Sequence, residues 1–441
     1  MGENKNMTRR NFLKGMTAAV ATVGPLVIVS CARGRPKRFG PNDMIGLGCI
    51  GMGGRGTAVM SSLMREGLED TRVVAVCDVN EQPRLAAKDR VEKFYTQNLG
   101  KGTYKGCDVY NDFRELLARK DIDAVTVTTP DHWHIPIAIA AAKVRKDMYV
   151  EKPLGMSVQQ GRALCNVVKA NKCIFQFGTQ QRSDARFRQA CELVRNGKIG
   201  KLHTIKVGSP FSGREPMPAP TPVPKGFDYT MWLGPAPEAP YTEKRCVTPF
   251  WYFISDYALG FIAGWGIHHV DIAQWGNNTD LTGPIEFEGK GEFPPKGELC
   301  DTATAWLVNC TYANGVEMIF ADDKQIRHGV TFEGSDGWVF VDREKIEAKP
   351  ESLLKWQPGP NDIHLYKSDE HARNFLDCVK SRKETICPVE VAQRSDTICQ
   401  VSDITIRLGR KMKWNPEKER FVGDPEADKM LSRPMRASWH L

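Results

Sequence analysis

The sequence predicts an α/β protein with two domains, and three observations support this prediction. The chain has 441 residues, 41% of them hydrophobic and 26% charged, which is enough for two domains with buried cores. From Asn42 onward, short apolar runs alternate with helical segments, as is typical of βαβ units and a parallel sheet. A glycine-rich loop follows the first of these runs. We place the two domains at residues 38–180 and 181–441.

The glycine-rich loop has the context of a dinucleotide-binding fold. A predicted strand, Met44 to Ile50, runs directly into Gly51-Met52-Gly53-Gly54-Arg55-Gly56, and a helix is predicted from Thr57 to Arg65. Gly51 permits the tight turn, Gly53 lets the backbone approach the pyrophosphate, and Gly56 lets the helix pack closely on the strand. The helix N-terminus attracts the anion. We therefore predict a Rossmann domain whose loop, with Gly54 and Arg55, contacts the cofactor.

An acidic residue ends the second predicted strand, Arg72 to Cys77. Asp78 lies about twenty residues beyond the loop, where a carboxylate accepts hydrogen bonds from the adenosine ribose and repels a 2′-phosphate. NAD is therefore the predicted cofactor, although Arg55 leaves some tolerance for NADP. A helix-capping role is the alternative for Asp78.

Two later strands also end in polar residues. The predicted strand Asp123 to Thr129 ends at Pro130, and a polar loop, Asp131-His132-Trp133-His134, is expected to follow it. The strand Asp147 to Val150 leads into Glu151-Lys152-Pro153. Ligands bind at the carboxyl edge of such a sheet. The predicted cofactor contacts at this edge are Thr129, Pro130, His134, Glu151 and Lys152.

The sequence resembles the Gfo/Idh/MocA oxidoreductase family, named for glucose–fructose oxidoreductase, inositol dehydrogenase and a rhizopine-catabolism protein. The resemblance extends over nearly the whole chain after residue 40. The tryptophan-containing segments near 232 and 251 look like those of an exported bacterial branch. The matching pieces are Gly51–Gly56, Asp78, Thr129–His134, Glu151–Pro153, Gly266-Ile267-His268-His269-Val270-Asp271 and Phe375–Arg382.

The resemblance implies a second α/β domain with a large, mostly antiparallel open sheet, and a homo-oligomer. The residues agree with such a sheet, because several segments show strand alternation and Gly334-Ser335-Asp336-Gly337 is typical of a hairpin turn. A long Pro-rich passage, Phe211 to Phe250, is predicted to be an ordered loop over the substrate cleft. The predicted strands and helices are His203–Gly208, Thr302–Asn309, Gly315–Ala321, Val330–Glu333, Trp338–Val341, Ser368–Ser381 and Val389–Arg410.

The resemblance also implies a catalytic pair, Lys152 and His268. Alcohol oxidation needs a base for the hydroxyl proton and a cation that stabilises the developing alkoxide, and these residue types suit the two tasks. Many family members carry an aspartate four residues before the histidine, whereas this chain has Gly264. That departure leaves the proton relay open, with His269 and Asp256 as substitutes.

Aromatic and polar side chains near these two residues are the candidate substrate contacts. Aromatic rings stack on sugar faces, although such clusters also form cores, and Asp271 is either an orienting or a capping carboxylate. The predicted substrate set is Arg182, Trp251, Tyr252, Trp265, His269 and Asp271.

The N-terminus predicts export. Met7-Thr8-Arg9-Arg10-Asn11-Phe12-Leu13-Lys14 resembles a twin-arginine signal, and the apolar run Met16 to Val29 that follows is short for a membrane span. Ile28-Val29-Ser30-Cys31 resembles a lipoprotein box, which makes Cys31 a candidate lipid anchor. Small residues before a cysteine are common, and both outcomes stay open. We predict a signal, lipobox and tether in residues 1–37 and a periplasmic protein.

Charge and cysteine spacing exclude other classes. Much of the formal charge of +8 lies within the first 38 residues, so no nucleic-acid surface is expected. The chain has 13 cysteines but no CxxC pair or zinc-ligand spacing, which predicts free, buried thiols and no metal.

The sequence therefore predicts an NAD-dependent oxidoreductase that acts on a sugar, glycoside or polyol hydroxyl. The first alternative is a glycoside-cleaving enzyme that works by transient oxidation and elimination. A branch of the family does this without the Glu-Lys-Pro lysine, so Lys152 favours ordinary oxidation. The second alternative is a non-catalytic sensor that has kept the fold.

Overall fold

The computed structural model describes residues 39–40, 43–100, 102 and 104–441. The predicted export signal, Cys31 and the tether lie outside these residues.

The first sheet has six parallel strands in the order β3-β2-β1-β4-β5-β6, which is the order of a Rossmann domain. Its central strands are apolar and buried, as a sheet covered on both faces requires. The predicted Rossmann fold is confirmed. The strands are β1 Ile45–Ile50, β2 Thr71–Cys77, β3 Asp108–Tyr110, β4 Ala124–Val127, β5 Asp147–Val150 and β6 Phe175–Phe177.

The helices between these strands correct two expectations. The first helix begins at Gly54, inside the glycine loop, rather than at Thr57. The polar segment after Pro130 is the start of a helix rather than a loop, and Pro130 stands at its N-cap. The helices are α1 Gly54–Glu66, α2 Glu81–Leu99, α3 Phe113–Leu117, α4 Asp131–Lys143 and α5 Val158–Asn171.

The second sheet has nine strands in the order β13-β12-β11-β7-β10-β9-β8-β14-β15. Its strands pair antiparallel except for β7 and β10, so the predicted large, mostly antiparallel sheet is confirmed. The strands are β7 Leu202–Ser209, β8 Glu286–Glu292, β9 Ala305–Thr311, β10 Glu317–Asp322, β11 Gly329–Gly334, β12 Gly337–Val341, β13 Ile346–Lys349, β14 Met412–Asn415 and β15 Arg420–Phe421.

Helices pack on this second sheet, and one of them returns to the first. The helix His371–Ser381 places Phe375, Leu376 and Val379 in one buried cluster with Leu63 of α1. The C-terminal half therefore completes the first core. The remaining helices are α6 Ala185–Arg195, α7 Tyr229–Leu233, α8 Phe261–Gly264, α9 Gly266–Gly276, α10 His371–Ser381, α11 Val389–Leu408 and α12 Pro425–Lys429.

Candidate active site

A cleft of about 320 Å³ opens at the carboxyl ends of β1, β2, β4 and β5. The Pro-rich passage 211–250, which we call the cover segment, forms its other wall through Phe227, Met231 and Trp232. The predicted site residues that line the cleft are Gly51, Gly53, Gly54, Arg55, Asp78, Thr129, Pro130, His134, Glu151, Lys152, Trp251 and Tyr252.

The glycine loop is shaped for a diphosphate. Gly51 has a φ of +86°, which favours glycine, and a Cβ atom at Gly56 would stand 1.8 Å from the Gly51 carbonyl oxygen. At Gly53 and Gly54, in contrast, an added Cβ would meet nothing within 4 Å. The loop therefore leaves open space at the N-terminus of α1, where an anion is stabilised. These residues fit the predicted dinucleotide.

Asp78 ties the loop to the end of β2. Its carboxylate accepts hydrogen bonds from the backbone N–H groups of Met52 at 2.6 Å and Asn80 at 2.8 Å. Arg55 turns away from this carboxylate and pairs with Glu151 at 2.8 Å. The placement of Arg55 therefore gives no support to tolerance for a 2′-phosphate beside Asp78.

His134 and Asp131 lie on the first turn of α4. The two ring nitrogens of His134 lie 2.7 Å from the carbonyl oxygen of Pro153 and 2.8 Å from that of Thr129, so the ring bridges the ends of β4 and β5. Both carboxylate oxygens of buried Asp131 lack a hydrogen-bond partner among the described residues. Burial raises the pKa of Asp131 well above its usual value, and Lys152 offsets this only in part.

Glu151 and Lys152 follow β5 into the cleft. Glu151 accepts hydrogen bonds from Arg55 and from Gln180, and although burial opposes it, Arg55 and Lys152 hold the pKa of Glu151 below its usual range. Lys152 donates through Nζ to the carbonyl oxygen of Gly264. Burial lowers the pKa of Lys152, while Glu151 and Asp131 favour its charged form.

His268 is brought close enough to Lys152 for the two side chains to interact electrostatically. The imidazole is only 4% exposed, and its Nδ1 has no hydrogen-bond partner among the described residues. Burial, followed by the charges of Lys152 and Arg343, lowers the pKa of His268 well below its ordinary value. The histidine is therefore neutral at neutral pH and able to accept a proton.

Aromatic rings surround the pair. Trp251 and Tyr252 stack with their centroids 3.8 Å apart, and Nζ of Lys152 lies 5.5 Å from the centroid of Tyr252. The ring of Trp265 lies 5.1 Å from that of His268. The structure thus groups the three predicted aromatic contacts around the two predicted catalytic residues.

Three predicted substrate residues are buried with partners of their own. Buried Arg182 donates to Asp271 at 2.7 Å and to Asp280 at 2.6 Å. Asp271 also accepts from Ser395, so its carboxylate is occupied in the core. His269 is fully buried, with Nδ1 2.7 Å from the Gly208 carbonyl oxygen. These contacts fit structural roles rather than the predicted contact with substrate.

The site also contains residues that the sequence did not suggest as ligands. With its amide oriented to satisfy both neighbours, Gln181 donates to the His268 carbonyl at 2.8 Å and accepts from Nε of Arg343 at 3.2 Å. Arg343 lies between β12 and β13, far from His268 in the chain. The sequence pointed to Asp131 through its place in the segment after Pro130, but no sequence feature pointed to Gln181 or Arg343.

Three further features, the cysteines, possible metal sites and possible membrane spans, concern all the described residues. Its cysteines, from Cys49 to Cys399, are free. Within residues 39–40, 43–100, 102 and 104–441, no group of three or more His, Cys, Asp or Glu side chains is placed to hold a metal ion. In the same residues, no helix combines the length and apolarity needed to cross a membrane.

Comparison with known families assigns both domains. Residues 45–179 match the model of the Gfo/Idh/MocA oxidoreductases described as the NAD-binding Rossmann fold. Residues 198–441 match the model of the C-terminal alpha/beta domain of the same family. The chain belongs to the Gfo/Idh/MocA oxidoreductase family. The predicted oxidoreductase class and NAD-binding domain are confirmed.

Relatives within this family are distant or cover part of the chain. The oxidoreductase YrbE of Bacillus subtilis is 23% identical over 314 residues, which are 68% of this chain and 81% of YrbE. The myo-inositol 2-dehydrogenase of Thermotoga maritima is 30% identical over 174 residues, 40% of this chain and 46% of that enzyme. A glycosyl hydrolase family 109 protein of Shewanella baltica is 33% identical over 169 residues, 35% of each chain.

Solved structures of family members share the fold. The WlbA dehydrogenase of Bordetella pertussis, solved with NADH and UDP-GlcNAcA, has a TM-score of 0.62 and 13% identity, with 84% of this chain and 99% of that chain covered. Aldose–aldose oxidoreductase from Caulobacter crescentus has a TM-score of 0.61 and 17% identity, with 84% and 99% covered.

Proposed function

We propose that the protein is an NAD-dependent dehydrogenase of a sugar, glycoside or polyol hydroxyl, and that it keeps its cofactor through the reaction. The observation that carries this proposal is that Lys152 lines the glycine-loop cleft and lies near enough to buried His268 for its charge to lower the pKa of the imidazole. Bound NAD supplies the hydride acceptor. The myo-inositol dehydrogenase and aldose–aldose oxidoreductase among the similar proteins support the substrate class.

His268 is proposed to take the hydroxyl proton. Its lowered pKa keeps the imidazole unprotonated at neutral pH, and because Nδ1 is buried, Nε2 is the ring nitrogen left for the substrate hydroxyl. A positioned base of this kind contributes roughly 10² to 10⁴ to the rate.

Lys152 is proposed to stabilise the alkoxide that forms as the proton leaves. The Gly264 carbonyl fixes its Nζ, and the negative charge of Glu151 favours the ammonium form despite burial. A fixed cation in a site of low polarity stabilises developing negative charge more than water does.

The cover segment supports cofactor retention. Its backbone is tied to the first domain by hydrogen bonds of 2.9 Å from Asp228 N–H to the Val79 carbonyl and from Glu81 N–H to the Gly226 carbonyl. Farther along, Trp133 donates through Nε1 to the Trp232 carbonyl at 2.9 Å. The segment thus closes the side of the cleft that faces Asp78.

Export through the twin-arginine route, with or without a lipid at Cys31, is part of the proposal and rests on residues 7–31 of the sequence. This route carries folded proteins, so a cofactor bound in the cytoplasm can travel with the enzyme. Retention and export therefore support each other, since no ready pool of free NAD exists outside the cytoplasm.

The second candidate function is glycoside cleavage by transient oxidation and elimination. It is favoured by the similarity to glycosyl hydrolase family 109 proteins, which covers 35% of the chain. Dehydrogenation and cleavage share their first step, the oxidation of a hydroxyl, and the presence of Lys152 favours ordinary dehydrogenation.

The deciding experiment begins with denaturation of the purified protein and measurement of the released NAD(H). The intact protein is then mixed with a panel of sugars, polyols and glycosides while nicotinamide absorbance and product release are followed. Lys152→Met and His268→Asn should abolish the signal, and His203→Asn, a change at an exposed residue of β7, serves as the matched control. No bound dinucleotide and no response to any compound would contradict the proposal.

A further inference from the structure

Arg343 reaches the catalytic pair from the turn between β12 and β13. Its guanidinium lies over the ring of Trp265, 4.5 Å from the centroid, and Trp265 in turn contacts His268. Gln181 connects the backbone of His268 to Nε of Arg343. The exposed arginine is therefore held near His268 by one ring face and one hydrogen bond, and its terminal nitrogens are left for another partner.

No carboxylate within 4.0 Å neutralises Arg343 among the described residues. Arg327, between β10 and β11 of the same sheet, shows the contrast. Its guanidinium lies over Phe340 at 3.4 Å, but it is also paired with Glu347 at 2.7 Å. The two arginines thus share an aromatic support and differ in the ion pair.

Both positive and negative side chains act on Arg343. Burial and the charge of Arg55 lower the pKa of Arg343. The charge of Arg343 in turn lowers the pKa of Lys152 and of His268. Glu151 and Asp184 favour the charged form of Arg343, but Glu151 is paired with Arg55 at 2.8 Å and Asp184 with Arg186 at 2.7 Å. Neither carboxylate forms an ion pair with Arg343, so its guanidinium is available to another negatively charged group.

We propose that Arg343 binds an oxyanion carried by the substrate, so that the protein acts on anionic sugars in preference to neutral ones. This inference rests on the proposed function of the same site and names its substrate class. The planar guanidinium matches a carboxylate or a phosphate ester in a two-point contact, whereas a neutral hydroxyl cannot offset its charge. The anionic group would then lie on the Trp265 side of His268, and the reacting hydroxyl beside the imidazole.

The test compares matched sugars in the purified, cofactor-loaded protein. Glucose is compared with glucuronate and glucose 6-phosphate, and galactose with galacturonate and galactose 6-phosphate, in both turnover and calorimetric binding. We expect at least one anionic member to exceed its neutral partner about tenfold or more in kcat/KM or affinity. The carboxylate and phosphate arms identify which oxyanion is bound.

Variants connect that preference to Arg343. Arg343→Gln should reduce the anionic-to-neutral ratio roughly ten- to a hundredfold, mainly through KM, and Arg343→Lys should recover part of it. Arg327→Gln, which removes the ion-paired arginine, should leave the ratio unchanged. Neutral sugars that equal or exceed their anionic partners, or a ratio unaffected by Arg343→Gln, would overturn the inference.

The binding arm separates this inference from the proposed function. Anionic sugars that bind through Arg343 without any change in nicotinamide absorbance would support the anion site and contradict the dehydrogenase. Turnover of neutral sugars alone would support the dehydrogenase and contradict the anion site.

Discussion

The ring of Tyr252 packs on Gly264, with its Cδ1 atom 3.4 Å from the position that a Cβ atom would take there. Gly264 stands where many family members carry an aspartate, and its carbonyl accepts the hydrogen bond from Lys152. The aromatic ring therefore occupies the space into which the family carboxylate would extend. In this protein Tyr252, rather than an acid, covers that side of the lysine.

Restoring the aspartate should therefore impair the enzyme. Gly264→Asp is expected to displace Tyr252 from Lys152 and to lower kcat/KM roughly tenfold or more, because the atoms beyond Cβ have no room. Gly264→Ala is the control, since its Cβ alone makes an ordinary contact. Turnover and thermal unfolding should be measured for both variants. Higher activity in Gly264→Asp would show that the carboxylate fits after all.

The activity of the free enzyme should persist below the ordinary pKa of histidine. The neutral form of His268 is the base, and its pKa is lowered well below 6.5 by burial and by Lys152 and Arg343. Protonation then begins only at more acidic pH, so kcat/KM should stay level as the pH falls through 6.5. A pH profile of the wild type checks this expectation.

Replacing one of the charges that act on His268 should move the same profile. In Arg343→Gln, a cation that disfavours protonation is lost, so the acidic limb should shift toward higher pH. Arg327→Gln should not move it. An acidic limb near pH 6.5 in the wild type would contradict the role of His268 as a base of lowered pKa.

Asp78 is expected to control both the affinity for NAD and the discrimination against NADP. Asp78→Ala removes the predicted ribose contact and also the acceptor for the Met52 and Asn80 N–H groups, so NAD should bind more weakly and NADP less unfavourably. Titration with both dinucleotides measures the effect, with Asp112→Ala, at an N-cap in the same domain, as control. Unchanged affinity for NAD would assign the ribose contact to another residue.

Export should depend on the paired arginines. Replacing Arg9 and Arg10 with lysine should leave folded protein in the cytoplasm, and Cys31→Ser should release the exported protein from membrane fractions if the cysteine is acylated. Fractionation and mass spectrometry of the mature N-terminus provide the measurements. Export that is unaffected by the arginine changes would refute the signal assignment.

The parts of the fold that follow from local sequence were predictable. The strands β1, β2, β4 and β5 are apolar and end in motifs with known geometry, so their edge of the sheet and the positions of Asp78 and Lys152 could be placed. The strands β8 and β15 were not predicted. Most residues of β8 are polar and partly exposed, and β15 has only two residues, so neither shows enough periodicity to detect.

The candidate site was predictable only where the chain carries a motif. Lys152 and His268 lie in family motifs, and the structure brings them together. Asp271 belongs to the same motif as His268, but it forms a buried ion pair with Arg182. Arg343 reaches His268 through a hairpin turn whose residues resemble any exposed turn, so only the pairing of the strands shows where its side chain lies.

The last prediction concerns how the cofactor is held. The end of the chain packs on the cover segment, where Arg436 donates through Nε to the Gly234 carbonyl at 2.9 Å. Trp439 contacts Trp133 of α4, with ring centroids 4.8 Å apart. These contacts fasten the cover segment to the first domain from outside the cleft.

Removal of the Arg436 and Trp439 contacts should release NAD. In the unaltered protein, bound NAD(H) should survive dialysis, and the oxidation of one hydroxyl should be matched by reduction of a second sugar or by a later step on the same sugar. Truncation after Arg433, or Trp439→Ala with Arg436→Ala, should raise the rate of cofactor loss roughly tenfold or more, because the cover segment can then open. Arg420→Ala, at the edge strand β15, is the control.

Dialysis followed by measurement of bound dinucleotide and of turnover without added cofactor tests the prediction. Rapid loss of NAD from the intact protein, with activity that needs continual addition of free cofactor, would exclude retention while leaving the dehydrogenase proposal in place.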